Sequence, residues 1–314
     1  MKTIRTALLV TIASASALLG PALHAQQAQS TPQQTEASVA PAEAAVPAPA
    51  LPALWKVSDE DTTIYLFGTI HLLPKGVNWY HGEVASAFEE SQELVTELAE
   101  VPQDQTVSVA MRIGSLPQGQ TLRGQMGDAE RAKFEAALKS LKIPEAAFDR
   151  LKPWFATVAL ATIPLRQAGY SPDSGAEAEL ERRNKALGRP HLGLETLEFQ
   201  LGIFDGLSAA AQKTYLLETI DTLPTIPQEI DKMVASWSKG DAAALAGLLN
   251  EVMKDPALNK ALLTDRNKNW SAWIDDRMDR PGTVFVAVGA GHLGGKDSVQ
   301  DFLDKAGLKV VRVQ

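Results

Sequence analysis

The sequence predicts an α/β (α+β) fold: a central, mostly parallel sheet, a strand-Gly-x-x-His unit near each end of the folded chain, and a large helical insertion. Three observations predict it. Two apolar, strand-like runs, Leu66-Phe67-Gly68-Thr69-Ile70-His71-Leu72 and Val288-Gly289-Ala290-Gly291-His292-Leu293, each stop at Gly-x-x-His-Leu. Around the first of them strand, helix and strand follow within about 35 residues, the pattern of a parallel βαβ unit. Long stretches of helical periodicity with few strand signals separate the other strands.

The elements follow in order. Lys2 and Arg5 give a positive start, Ala7 to Gly20 a short apolar core, and Ala22-Leu23-His24-Ala25 a small-residue cleavage site. Residues 1–25 therefore read as a secretory signal peptide, and the mature chain is expected in the periplasm or secreted. The apolar run is short for a membrane helix, and no later stretch is expected to span a bilayer. Residues 26–53 are rich in Gln, Ala, Pro, Ser and Thr, cannot bury enough surface to fold, and read as a disordered linker. The folded domain is expected over 54–314.

Leu54 to Val57 and Thr63 to Phe67 read as a hairpin that ends at Gly68 and His71. Pro74 to His81 reads as a loop. Glu83 to Ser91 has helical spacing, with Val84, Ala87 and Phe88 on one face. Glu93 to Leu98 reads as a buried strand, and a right-handed crossover would bring its Glu97 beside His71. Residues 104–170 read as helical, with breaks at 114–119, Gly127 and Pro144, and with Pro153 opening a helix; no strand is expected there. Ser174 to Leu187 is a helix stopped by Gly188-Arg189-Pro190. His191 to Glu195 is a short strand ending in a carboxylate. Residues 197–251 are helical with breaks at Gly206, Pro224 and Gly240, and Asn259 to Met278 is one long helix carrying Arg266, Trp270 and Trp273. The two helical stretches, about 104–190 and 197–279, are expected to cap the sheet. Thr283 to Val288 is the strongest strand signal, followed by a helix over Asp297 to Ala306 and a last strand over Lys309 to Val313.

Composition narrows the function. The chain has 314 residues, 45% hydrophobic and 22% charged, ordinary for a globular protein. A net charge of -8, with no basic stripe, argues against nucleic acid as a partner. With no cysteine, the protein has no disulfide, thiolate ligand or cysteine nucleophile, so any metal site must use His, Asp or Glu. No nucleophile elbow, phosphate loop or His-Glu-x-x-His helix is present.

Four strands are expected to end in a metal-capable side chain: His71, Glu97, Glu195 and His292. If they are parallel neighbours, the four groups meet at the carboxyl edge, where ligands bind in open α/β sheets. Two imidazoles with one or two carboxylates suit Zn, Mn, Fe or Co, and such an ion lowers the pKa of a bound water. A carboxylate left over could act as general base, and a nearby arginine could stabilise an oxyanion. Glu195 could equally cap the helix that follows it. His81 and His191 lack the glycine turn and read as structural, and the tryptophans read as packing.

These residues resemble the TraB/GumN family, to which the TIKI metalloproteases are similar. The resemblance rests on Leu54-Trp55-Lys56-Val57, Tyr65 to His71, Gly193 to Glu198 with Gln200-Leu201, Arg266-Asn267 with Trp270, and Thr283 to Leu293, which span nearly all of 54–314 in order. It implies a metal-dependent hydrolase fold in which His71, His292 and Glu97 hold the ion and Arg266 is the family's arginine. The family is similar in turn to erythromycin-esterase-like and haem-uptake ChaN-like folds. Glu177 stands where relatives often have Asp, and no role is attached to it. The first reading is an exported metal-dependent hydrolase acting on peptide or protein substrates, with Glu195 and Arg266 catalytic. The alternatives are a non-catalytic haem, metal or peptide-signal binder and a non-peptide ester or amide hydrolase.

Overall fold

A computed structural model describes residues 49–252 and 255–314. The expected signal peptide and the linker up to residue 48 lie outside the described residues. The last linker residues are packed: Ala50 is buried, its N–H donates to the Asn78 carbonyl at 2.8 Å, and the Leu51 N–H donates to the Ser238 carbonyl at 2.8 Å.

The sheet is built from β1 (Leu54–Ser58), β2 (Thr62–Thr69), β4 (Glu93–Leu98), β6 (His191–Glu195), β7 (Gly282–Gly289) and β8 (Val311–Arg312), in the order β6-β4-β7-β2-β1-β8. β1 and β2 form the expected hairpin, β8 adds antiparallel to β1, and β2, β7, β4 and β6 are mutually parallel. The four strands carrying the candidate residues are thus parallel neighbours. One expectation changes: β4 does not pair with β2, because β7 lies between them. The sequence order of a βαβ unit leaves open which later strand enters the gap. β7 is suited to that place, since its Val-rich run is buried on both faces, as interior parallel strands are.

The period-2 alternation of β7 divides the core. Phe285 and Ala287 face one layer, with Phe67, Phe88 and Leu94. Val284, Val286 and Val288 face the other, with Ile64, Leu66 and Val95. The first layer is helical: α1 (Gly82–Glu90) crosses from β2 to β4, and α2 (Gln103–Gly114), α3 (Asp128–Ser140), α4 (Pro153–Gln167) and α5 (Ala176–Ala186) lie between β4 and β6. α6 (Leu197–Asp205), α7 (Ala209–Thr222), α8 (Ile226–Ser238) and α9 (Ala242–Val252) follow β6, with their breaks at Gly206, Pro224 and Gly240. A small second sheet pairs β3 (Leu73–Pro74) with β5 (Tyr170–Ser171), at the edge of a region expected to hold no strand.

The expected long helix from Asn259 is divided. α10 (Pro256–Asn259) passes through a π-helical turn (Lys260–Thr264) into α11 (Asp265–Met278). α11 reaches the sheet edge only with its first turns: Trp270, Ile274 and Met278 cover the second face, together with Val299 and Leu303 of α12 (Val299–Lys305). Among the described residues no helix is long and apolar enough to cross a membrane.

Candidate metal centre

The carboxyl ends of β2 and β7 run in register, Gly68 opposite Val288 and Thr69 opposite Gly289. The two Gly-x-x-His motifs are therefore one residue out of step, since aligning them by sequence would place Gly68 opposite Gly289. His71 leaves β2 in an open bend and keeps 17% of its side chain exposed. His292 closes a 3-10 turn, Ala290–His292, and is turned inward to 3% exposure. Gly289 sits between them. A Cβ there would lie 3.1 Å from Glu97 Oε1, 3.5 Å from His292 Cδ2 and 3.9 Å from His71 Nε2. The missing side chain leaves room for these three groups to approach one point.

Glu97, at the penultimate position of β4, is buried. Its Oε1 accepts from the Gly289 N–H at 2.8 Å, and its Oε2 from Arg266 Nη2 at 2.6 Å and Gln200 Nε2 at 2.9 Å. Burial pushes its carboxyl up, but Arg266 above all, then His292, His71 and the Gly289 N–H, hold it well below the usual carboxylate range. Arg266 lies one helical residue past the π turn. It grips Glu195 through Nε at 2.9 and 3.1 Å and through Nη2 at 2.9 Å, and donates from Nη1 to the Leu262 carbonyl at 3.0 Å. Burial works against its charge, and Glu97 and Glu195 outweigh that, raising its pKa.

Glu195 is fully engaged. Beside Arg266, its Oε1 accepts from Trp270 Nε1 at 2.9 Å and its Oε2 from Gln200 Nε2 at 3.1 Å. It does not cap the next helix; the Thr196 side chain does, accepting from the Phe199 N–H at 3.2 Å. His292 is held from both sides. Asn267 Nδ2 donates to the Asp297 carbonyl at 2.8 Å, which turns Asn267 Oδ1 toward His292 Nδ1 at 2.5 Å. His292 then carries its proton on Nδ1, and its Nε2 lone pair faces Arg266 Nη1 at 3.2 Å. Burial and Arg266 push its pKa down to about 3, so the ring is neutral. His71 is likewise pushed down to about 4, chiefly by burial.

Glu177 completes the site. α5 begins against the end of β2, where the Ala176 N–H donates to the Ile70 carbonyl at 3.0 Å. That contact carries Glu177 to His71, with its Oε2 on His71 Nδ1. Its Oε1 accepts from Thr69 Oγ1 at 2.9 Å, while its Oε2 lies against the His71 imidazole. His71, Glu97 and Glu177 each offer a ligand atom within 4.8 Å of the others, and this group could hold a metal ion. Two observations fit a divalent cation: the cradle over Gly289 and the charge. Glu97, Glu177 and Glu195 against one Arg266 leave a formal charge of minus two with both imidazoles neutral.

All five predicted residues are thus gathered at the carboxyl edge. His71 and Glu97 fall within one ligand group, and His292 lies beside it, its Nε2 3.8 Å from Glu97 Oε1. Glu195 and Arg266 form the floor. Sequence reasoning gave no role to Glu177, Gln200 or Asn267, and took Trp270 for packing. The signals were slight: Glu177 sits just past a glycine-led helix start, and Gln200, Asn267 and Trp270 belong to stretches that carry the family resemblance. The two histidines read as structural lie elsewhere, His191 with Nε2 2.8 Å from Thr96 Oγ1.

The TraB/PrgY/gumN family model matches residues 53–312. The chain belongs to that family. The match covers every strand of the sheet and all residues of the site. Searches of the curated proteins and of the solved structures each find no match. Within this TraB/PrgY/gumN chain, the acidic residue at the start of α5 is a full participant in the cluster.

Proposed function

We propose that this protein is an exported, metal-dependent hydrolase, with peptides as its first substrate class. The observation that carries the reading is the His71, Glu97 and Glu177 cluster, whose donors lie within 4.8 Å of one another. These three residues would hold Mn, Co, Zn or Fe, and His292 would join them by exchanging its Arg266 contact for the ion. A divalent ion at this edge supplies Lewis acidity toward a carbonyl and toward water. Arg266 keeps Glu97 ionised and aimed, and Glu195, with Trp270 and Gln200, holds Arg266 in place. In this reading Glu195 is a positioning residue, since donors occupy both of its oxygens. The leader of residues 1–25 would direct the chain to the periplasm or outside.

Metal analysis of the purified protein tests the reading, with His71→Ala and Glu177→Ala beside it. About one equivalent of divalent metal in the parent, lost in both variants, is the expected result. A parent that stays metal-free after reconstitution, or a loaded protein that cleaves no peptide or ester in a broad panel, sinks it. Export is checked separately by N-terminal sequencing of the fractionated protein, which should start near Gln26.

A second reading, a non-catalytic binder of a metal or a peptide signal, is favoured by one observation: the carboxylate expected as general base is wholly engaged. Ligand binding without turnover by the loaded protein would select it.

A further inference from the structure

Beside the cluster an apolar cleft opens between the end of β2 and the helices α8 and α9. Ile70, Ile230, Met233, Leu245, Leu249 and Ala290 make up its wall. Among the described residues the only polar side chains in the lining are Thr69 and His71, and the Thr69 hydroxyl is given to Glu177. On the far side of Leu249 and Gly291 the surface changes character. A second cleft shares those two residues but is lined by Asn259, Thr264, Lys296 and Asp297. The apolar surface is thus one-sided and ends at the imidazole of the candidate metal centre.

We infer that the apolar cleft is the specificity pocket of the site and takes an aliphatic group joined to a carbonyl, with the carbonyl directed at His71. Ile230, Met233, Leu245 and Leu249 set how long that group can be. A cleft with an almost wholly apolar wall and one convergent polar group matches the lining of small-ligand sites. A charged or strongly polar group would lose its hydration there without a partner. The direction of the carbonyl rests on the hydrolase reading above; the aliphatic preference rests on the wall alone.

The test is calorimetric binding to the full chain in excess chelator, so that affinity reports the pocket and not an ion. Two probe series separate the two sources of such a group. Straight-chain N-methylamides from N-methylbutanamide to N-methyloctanamide represent an acyl chain. Acetyl-Gly-Xaa-Gly amides, with Xaa alanine, norvaline, norleucine or 2-aminooctanoate, represent a peptide side chain. In at least one series affinity should rise about threefold to fourfold per added methylene and then stop when the pocket is full. Leu249→Phe should move that stop about two methylenes shorter, and Met233→Asn should weaken the longest probe about tenfold while leaving the shortest within about twofold. Leu249→Phe exchanges one apolar side chain for another and carries the test if Met233→Asn fails to fold. Affinity independent of chain length in both series, or a rise that neither variant alters, overturns the inference. Failure of the hydrolase reading looks different: the rise persists, yet no probe amide is cleaved when metal is restored. Cleavage that ignores side-chain length removes the pocket and leaves the hydrolase.

Discussion

Arg266 is the residue on which the site's charges turn. Its side chain is 4% exposed, against 6% for Glu97 and 7% for Glu195. Removing one partner of such a buried set leaves uncompensated charge. Arg266→Met is therefore expected to destabilise the protein by about 3–5 kcal/mol in urea unfolding. Glu177→Gln should behave in the opposite sense. It keeps an acceptor for Thr69 and removes one negative charge from a buried cluster whose formal charge is minus two. The metal-free variant should be no less stable than the parent, while metal affinity should fall by about tenfold or more. A large loss of stability would make Glu177 a structural residue instead. The two site histidines set the pH response of the metal-free protein. Each has a folded pKa below the ordinary 6.5, to about 4 for His71 and about 3 for His292. The unfolded chain then binds more protons through that interval, so their contribution is complete above about pH 6.5 and is lost as pH falls toward 4 and below. Glu181 opposes them: burial and Glu100 push its carboxyl up to about 7, so its contribution is lost as pH rises from 4.5 to 7. Urea midpoints measured from pH 8 to pH 4 should fall, and should fall further in Glu181→Gln. A flat profile would mean that the imidazoles are not held neutral by the fold.

At the scale of elements, the site depends on how α5 meets the end of β2. Gly175, which starts that helix, lies so close to the bend that an added Cβ would sit 2.1 Å from the His71 carbonyl oxygen. That oxygen is backbone and can retreat only by moving His71. Gly175→Ala should therefore lower both stability, by about 2 kcal/mol or more, and metal occupancy, read from thermal unfolding and metal analysis of the same preparation. Unchanged occupancy would show that His71 does not depend on this contact. The π-helical turn before α11 is a second such device. It inserts one residue into the helical repeat just ahead of Arg266 and so sets the face on which the guanidinium emerges, a placement π-turns often serve.

At the scale of the whole molecule, one sheet is covered on both faces, and β7 divides the core between two layers. The residues just ahead of β1 are tied into this body as well. Ala50 and Ala53 are buried, and the Ala50 and Leu51 N–H groups bond to residues near 78 and 238. A chain starting at Leu54 should therefore melt about 2–6 °C below one starting at Pro49, the loss of two backbone hydrogen bonds and two small apolar contacts. Equal melting temperatures would place the domain boundary at Leu54, where composition alone puts it.

The sequence by itself determined the strands of the main sheet, most of the helix breaks and the chemistry of the strand ends. Those follow from local rules: apolar alternation, glycine and proline punctuation, and the cost of ending a buried strand in a carboxylate without using it. His71, Glu97, Glu195 and His292 were legible for that reason, and Arg266 through the family resemblance. Tertiary structure alone decided what each of them faces. Strand order placed β7 between β2 and β4, and a one-residue offset in the β2 and β7 register turned His292 inward to Arg266 while leaving His71 open. The docking of α5, about a hundred residues further along the chain, brought Glu177 to His71. Pairing register and helix docking are settled by contacts between distant segments, which no local pattern encodes.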